Sequence, residues 1–347
     1  MHMADALISS TVGGTMWAIS GGLLAYCARK VRQSLRDNLV PMMGVLGAFI
    51  FAAQMINFSI PGTGSSGHLG GGLILTILLG PYAAFLVIAS VLTVQAFFFA
   101  DGGLLALGCN IFNLGFFPAF IAYPLIYRAL AGNQRTTTRA WAAAIVAAVA
   151  GLMLGAFSVV LETEASGISE LPFRTFVLMM LPIHLAIGVV EGLATAAVVS
   201  FVARARPEAL PTSATSVSLR PVLIGLAIAA AIVGGIASWF ASTHPDGLEW
   251  SIAKVSGSEE VAGPETGAHQ SLAKLQERTA VLPDYGFKAG EDETSATEES
   301  AGDSQPWPAV NAGTSISGIV GGLMTLLLAC LIGFVLKAHP RKRVTPG

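Results

Sequence analysis

Along this chain apolar residues gather into long runs, many of 18 or more, broken by short polar stretches. Runs of that length cross a hydrocarbon core about 30 Å thick. The pattern predicts nine apolar spans, at roughly 12–30, 40–58, 70–80, 81–100, 104–128, 138–161, 173–203, 221–242 and 316–337. The third is short for a crossing at about 1.5 Å of rise per residue. It reads as a half-helix ending at Gly80-Pro81 or as a tilted helix shielded by its neighbours. The expected fold class is all-α, a polytopic membrane helix bundle of seven helices followed by two more.

Composition points the same way. Charged residues are 12% of the chain, against about 25% in soluble domains, and mean hydropathy is +0.68. So few charges cannot cover a soluble surface. The 39 glycines suit close approach between membrane helices. Cys27, Cys109 and Cys330 each sit inside an apolar run and read as small buried hydrophobes, without disulfide or thiolate metal site.

Orientation follows from the cations, because short cytoplasmic loops carry the Lys and Arg excess. Four clusters stand out: Arg29, Lys30, Arg32 and Arg36; Arg128, Arg135 and Arg139; Arg204, Arg206 and Arg220; and Lys337, Arg341, Lys342 and Arg343. Nine spans with the N-terminus outside place all four inside and the C-terminus in the cytoplasm; eight spans would break that agreement. The first residues carry acidic Asp5 and lack the basic opening of a signal peptide, so the N-terminus is expected to stay uncleaved. The net charge of −2 says little about partners, since in a membrane protein the placement of each sign matters; no nucleic-acid partner is expected.

Domain boundaries are legible in the polar interruptions. Residues 1–203 form a seven-helix unit, 204–220 a cytoplasmic linker with two prolines, and 221–342 a two-helix module. That module encloses an extracytoplasmic segment, 243–315, with thirteen Asp or Glu against four Lys or Arg, expected to be largely flexible.

Candidate chemistry begins at Met1-His2. A terminal amine, the His2 amide once deprotonated and the His2 imidazole form adjoining five- and six-membered chelate rings, so three nitrogens lie in one plane. Planar nitrogen sites suit Ni(II) or Cu(II). The fourth position calls for another imidazole, and the charge-derived topology brings His68 to the same face, in the glycine-rich loop SIPGTGSSGHLGGG. Taken alone, Met-His is a start codon followed by any residue, and a histidine in a glycine-rich loop is usually structural; their shared face gives the pair its weight. The expected metal ligands are Met1, His2 and His68.

His184 and Glu191 are seven residues apart, two turns along one helix face. Ionisable residues inside a membrane are functional candidates, although a structural polar pair explains them equally well. If the two are functional, a role orienting His68 suits them better than ligation. Asn57 and Asp101, with Gln54, Gln95, Asn110 and Asn113, are further candidates for a polar network around the site. Met42, Met43 and Met55 read as ordinary packing. His244 and His269 read as solvated loop residues. Nucleotide-binding loops, nucleophile elbows and zinc-protease motifs do not occur in the sequence.

Three stretches, MHMADALIS at the start, MGVLGAFIFAAQMINFSIPGTGSSGHLGGG at 43–72 and FFFADGGLLALGCNIFNLGF at 97–116, resemble the CbiM/NikM family, the nickel and cobalt substrate-capture components of energy-coupling factor transporters. The resemblance covers roughly residues 1–203. Residues 221–337, with Pro245–Ser251 reading PDGLEWS, resemble the family's small two-helix accessory subunit, so the chain looks like a fusion of the two. The resemblance implies a square-planar site at Met1, His2 and His68, with Ni(II) or Co(II) as transported ligand and no permanently bound cofactor. It also implies a membrane coupling component and a pair of cytoplasmic ATPases as partners, a place in the inner (cytoplasmic) membrane, and no enzymatic activity. The MHMADAL start and fused PDGLE module look most like fused nickel transport proteins. Cobalt import for cobalamin synthesis remains the nearest alternative. A proton-coupled permease built on His184 and Glu191 is a second, and a membrane metalloenzyme using His2, His68 and His184 a third.

Overall fold

The computed structural model describes residues 2–34, 36, 38–132, 138–205, 219–259, 261–264, 266–288 and 307–338. Local chemistry explains where its helices begin. Helix α1 (Ser10–Gln33) is capped by Ser9, whose Oγ accepts from the Val12 N–H at 3.3 Å, which satisfies one of the unpaired N–H groups of a first turn. Helix α2 (Leu39–Gln54) leads into a small antiparallel hairpin, β1 (Phe58–Ile60) and β2 (Ser65–Gly67), paired Phe58 to Gly67 and Ile60 to Ser65. Gly62 and Gly64, at φ of 78° and 75°, make the turn, a conformation that suits residues without Cβ.

The short third span is helix α3 (Gly72–Leu79), ended by Gly80 at φ 85°, after which Pro81 opens helix α4 (Pro81–Phe99). Proline fits that first position because its missing N–H has no helical partner there. The next helix, α5 (Leu107–Ala131), widens to π geometry over Phe112–Tyr127, where Pro118 and Pro124 each remove a donor from the ladder. Helices α6 (Thr138–Ser166) and α7 (Phe173–Ala205) complete the first unit. They pack so closely that a Cβ on Gly192 would lie 2.3 Å from Ile145 Cα, the small-residue packing by which membrane helices associate.

The C-terminal part adds helix α8 (Arg220–Gly235), two polar helices α9 (Gly247–Ser256) and α10 (Gly267–Thr279), and the long helix α11 (Ala312–Ala338). Helices α8 and α11 cross where a Cβ on Gly318 would meet the Gly234 carbonyl. Both pack on α2. Gly321 of α11 leaves room for Phe51, and Gly44 of α2 leaves room for Cys330. The two units therefore form one bundle around α2.

Among the described residues, five helices are long and apolar enough to cross a membrane: α4, α5, α6, α7 and α11; α2 and α8 are shorter apolar helices. Leu323, Leu327, Leu331 and Phe334 of α11 are exposed, as expected of a face turned to lipid. Part of the segment expected to be flexible is instead folded: residues 243–259 and 266–288 include α9 and α10, docked on the end of the bundle where α1 begins and α2 and α4 end. The segment's polar character and acid excess hid this, because a polar segment folds when it has a surface to dock on. Most of the acidic run after residue 288, and of the linker, lies outside the described residues.

Candidate metal centre

The N-terminal tail lies across the end of the bundle, held residue by residue. The Met3 N–H donates to Asn110 Oδ1 at 2.8 Å, and the Met3 carbonyl accepts from Asn110 Nδ2 and from the Gly103 N–H at 2.9 Å. Asp5 Oδ1 accepts from the Ala106 N–H at 2.9 Å. Gly103 has to be glycine, because a Cβ there would fall on the Asp5 carboxylate.

This seating places His2 beside His68. The ring centroids are 4.9 Å apart with planes inclined at 33°. His2 Nδ1 lies 2.6 Å from Asp101 Oδ1 and donates to it, since a carboxylate only accepts. His2 Nε2 is buried without a hydrogen-bond partner, as is His184 Nε2. The second Asp101 oxygen accepts from the Tyr285 hydroxyl at 2.5 Å, and Gln95 Nε2 donates to the Tyr285 oxygen at 3.2 Å. Burial alone would raise the Asp101 carboxyl, but the neighbouring His2 and the bonds from His2 and Tyr285 outweigh it and hold Asp101 well below the usual carboxylate range. Burial pushes the His68 imidazole down to about 3, so near neutral pH it is uncharged and keeps a lone pair, the form that binds metals.

The loop bearing His68 is clamped from below. Glu191, buried on α7, accepts the Gly70 N–H at 2.8 Å through Oε2 and the Gly71 N–H at 3.1 Å through Oε1. Gln54 Nε2 donates to the Gly70 carbonyl at 2.9 Å. From above, the PDGLE turn closes over the hairpin: the Ser66 N–H donates to the Pro245 carbonyl at 2.8 Å, and Trp250 Nε1 donates to the Thr63 carbonyl at 3.0 Å. Asp246 Oδ2 stands 3.9 Å from His68 Nε2, while its other oxygen caps α9. A cavity of about 590 Å³ opens onto the two histidines, lined also by the carboxylates of Asp5, Asp101, Asp246 and Glu249.

The residues expected at the site are thus partly reunited. His2, His68 and Asp101 come together; Met1 lies outside the described residues. Glu191 acts on the His68 loop backbone. His184 is buried, with Nδ1 2.8 Å from the Met180 carbonyl, and shares with His68 the lining of a cavity of about 10 Å³. Asn57 lines the larger cavity, and its carbonyl accepts from the Ser242 N–H at 2.7 Å. His269 is a correction: the reading as a solvated residue fails, since it is 8% exposed and Nε2 lies 2.8 Å from the Ile8 carbonyl. Tyr285 and Asp246 went unnoticed because nothing in a polar segment marks which residue will dock. Among the described residues, no three His, Cys, Asp or Glu side chains are grouped to hold a metal ion, so a metal between His2 and His68 requires donors of another kind.

Comparison with known proteins fits this architecture. Residues 2–209 match the family model described as cobalt uptake substrate-specific transmembrane region, and residues 220–338 match the PDGLE domain. A protein of Archaeoglobus fulgidus, provisionally named a fused nickel transport protein, is 33% identical over 341 residues, covering 98% of this chain and 99% of that one. The fused nickel transport protein of Rhodobacter capsulatus is 30% identical over 309 residues, covering 82% of this chain and 88% of its own length. A crystal structure of a truncated transition metal transporter superposes with a TM-score of 0.51 at 29% identity, over 59% of this chain and 99% of that one.

The chain is a multi-pass membrane transport protein of the nickel and cobalt class, and not an enzyme. It belongs to the family of cobalt uptake substrate-specific transmembrane regions, with a PDGLE domain fused at its C-terminal side.

Proposed function

We propose that this chain is the substrate-binding component of an ATP-driven energy-coupling factor importer, and that it takes Ni(II), in preference to Co(II), from the outer face of the membrane. The metal sits in a planar site made by the Met1 amine, the His2 amide and imidazole, and His68. The observation that carries this reading is the 4.9 Å approach of the His2 and His68 rings, residues far apart in sequence, at the floor of an acid-lined cavity. Two imidazoles are too few donors, and backbone nitrogens of the tail supply the rest. The His2 chelate closes through Nδ1, the nitrogen that donates to Asp101 in the structure, so loading turns the imidazole and breaks that bond.

Nine crossings with the N-terminus outside agree with the placement of cations: Arg29, Lys30, Arg32, Arg128, Arg139, Arg204, Arg220 and Lys337 lie at helix ends away from the site. A membrane coupling component and a pair of ATPases act from that side. The proton-coupled reading is weaker, because both Glu191 oxygens are occupied by backbone N–H groups, the arrangement of a clamp.

The test is metal binding by the full chain carrying a C-terminal tag, comparing Ni(II), Co(II), Cu(II) and Zn(II) for wild type, His2→Ala, His68→Ala and a variant extended before Met1. One-to-one Ni(II) binding that all three changes abolish supports the site and its metal. Undiminished binding by the extended variant removes the terminal amine from the ligand set. Uptake in cells that lack the ATPase pair would overturn the energy source.

A further inference from the structure

Chain ends usually fray unless something ties them down, and here the proposed ligands sit on such an end. Asn110, Gly103 and Ala106 tie the tail on its inner side. On the outer side α10, from the acidic segment between α8 and α11, reaches the tail at Ile8. Among the described residues His269 is the one fully buried side chain of that helix, and half-buried Leu272 adds apolar packing against the core. Its polar contacts reach both the tail and the turn that seats it. His269 Nε2 donates to the Ile8 carbonyl at 2.8 Å. Gln276 Nε2 donates to the Ala96 carbonyl at 2.9 Å and the Gly102 carbonyl at 2.8 Å, spanning the turn that carries Asp101 and receives Met3. Just before α10, Gly263 packs so tightly that a Cβ there would lie 2.9 Å from Ala6 Cα.

We propose that His269 and Gln276 are positioning residues for metal binding: α10 clamps the N-terminal tail and its seating turn, so the backbone that carries His2 is ordered before the metal arrives. The inference rests on the site assigned above and adds residues that touch no ligand atom. Ordering the tail in advance removes an entropic cost from binding. It also explains why a polar helix that is mostly exposed is folded here at all.

The experiment uses the full chain with a C-terminal tag, as wild type, Gln276→Met, His269→Phe, His269→Gln and His68→Ala. Two quantities are read: the rate at which a chelator strips Ni(II), and hydrogen exchange in the metal-free protein over residues 2–8, with α11 as internal reference. Gln276→Met and His269→Phe are expected to speed metal loss about tenfold, the low end for residues that support ligands, and to raise exchange over residues 2–8 while α11 is unchanged. His269→Gln, which retains an N–H donor, is expected to recover most of the loss. Unchanged stripping and unchanged tail exchange in both variants overturn the clamp. Exchange rising equally in α11 also overturns it, since the residues would then serve the module's folding alone. If wild type loses Ni(II) as fast as His68→Ala, the metal-site assignment fails, and tail exchange alone decides whether the clamp exists.

Discussion

Glu191 grips Gly70: the carboxylate, buried in the middle of α7, accepts the Gly70 N–H at 2.8 Å and reaches the Gly71 N–H with its other oxygen. It fixes the loop two residues beyond His68. Replacing Glu191 by Gln leaves one acceptor for two donors, and an unpaired buried N–H costs about 1–3 kcal/mol. Glu191→Gln is expected to lower the melting temperature in detergent and to weaken Ni(II) binding about tenfold, read by thermal unfolding and by isothermal titration. A variant as stable and tight-binding as wild type would mean the loop does not depend on this clamp.

Gly67 sets the spacing between the hairpin and α7. A Cβ there would lie 2.5 Å from Ile187 Cγ1, and overpacking of this kind costs about 1–3 kcal/mol. Gly67→Ala should displace His68 and weaken metal retention, and adding Ile187→Ala should restore most of it. Competition with a chelator measures both variants; failure of the second change to rescue the first would place the damage in the loop backbone.

Asn110 holds Met3 by a donor and an acceptor together. Asn110→Ala removes both at once and should release the tail, with faster hydrogen exchange over residues 2–8 and weaker metal binding. Asn110→Asp keeps the acceptor for the Met3 N–H and should fall between the two.

The PDGLE turn docks through the absence of a side chain. A Cβ on Gly247 would meet Ile183 at 2.8 Å and His184 at 3.1 Å. Gly247→Ala is therefore expected to lift the turn, raising hydrogen exchange over residues 244–256 while α6 and α7 stay protected. Equal protection in the variant would show that the contact is not tight.

Bound metal should stabilise the chain by mass action. At about one hundred times its dissociation constant, Ni(II) adds about 2.7 kcal/mol, visible as a rise in melting temperature that a chelator reverses. His68→Ala should show no such rise.

The membrane class, the helical pattern and the resemblance-bearing stretches were legible in the sequence, because hydropathy, span length and cation placement are local properties that lipid reads directly. Pro81, Gly80 and Ser9 mark helix ends by their own chemistry. His2 and His68 could be paired from topology alone, since that argument needs only the face of the membrane each occupies. What sits around them could not. The Gly70 clamp by Glu191, the Tyr285 bond to Asp101 and the burial of His269 join segments distant in the chain, and each depends on which surfaces meet when α2, α7 and the acidic segment pack. Sequence determines what a residue can donate or accept; only the tertiary structure decides which partner stands within 3 Å of it, because a hydrogen bond forms through space and carries no mark along the chain.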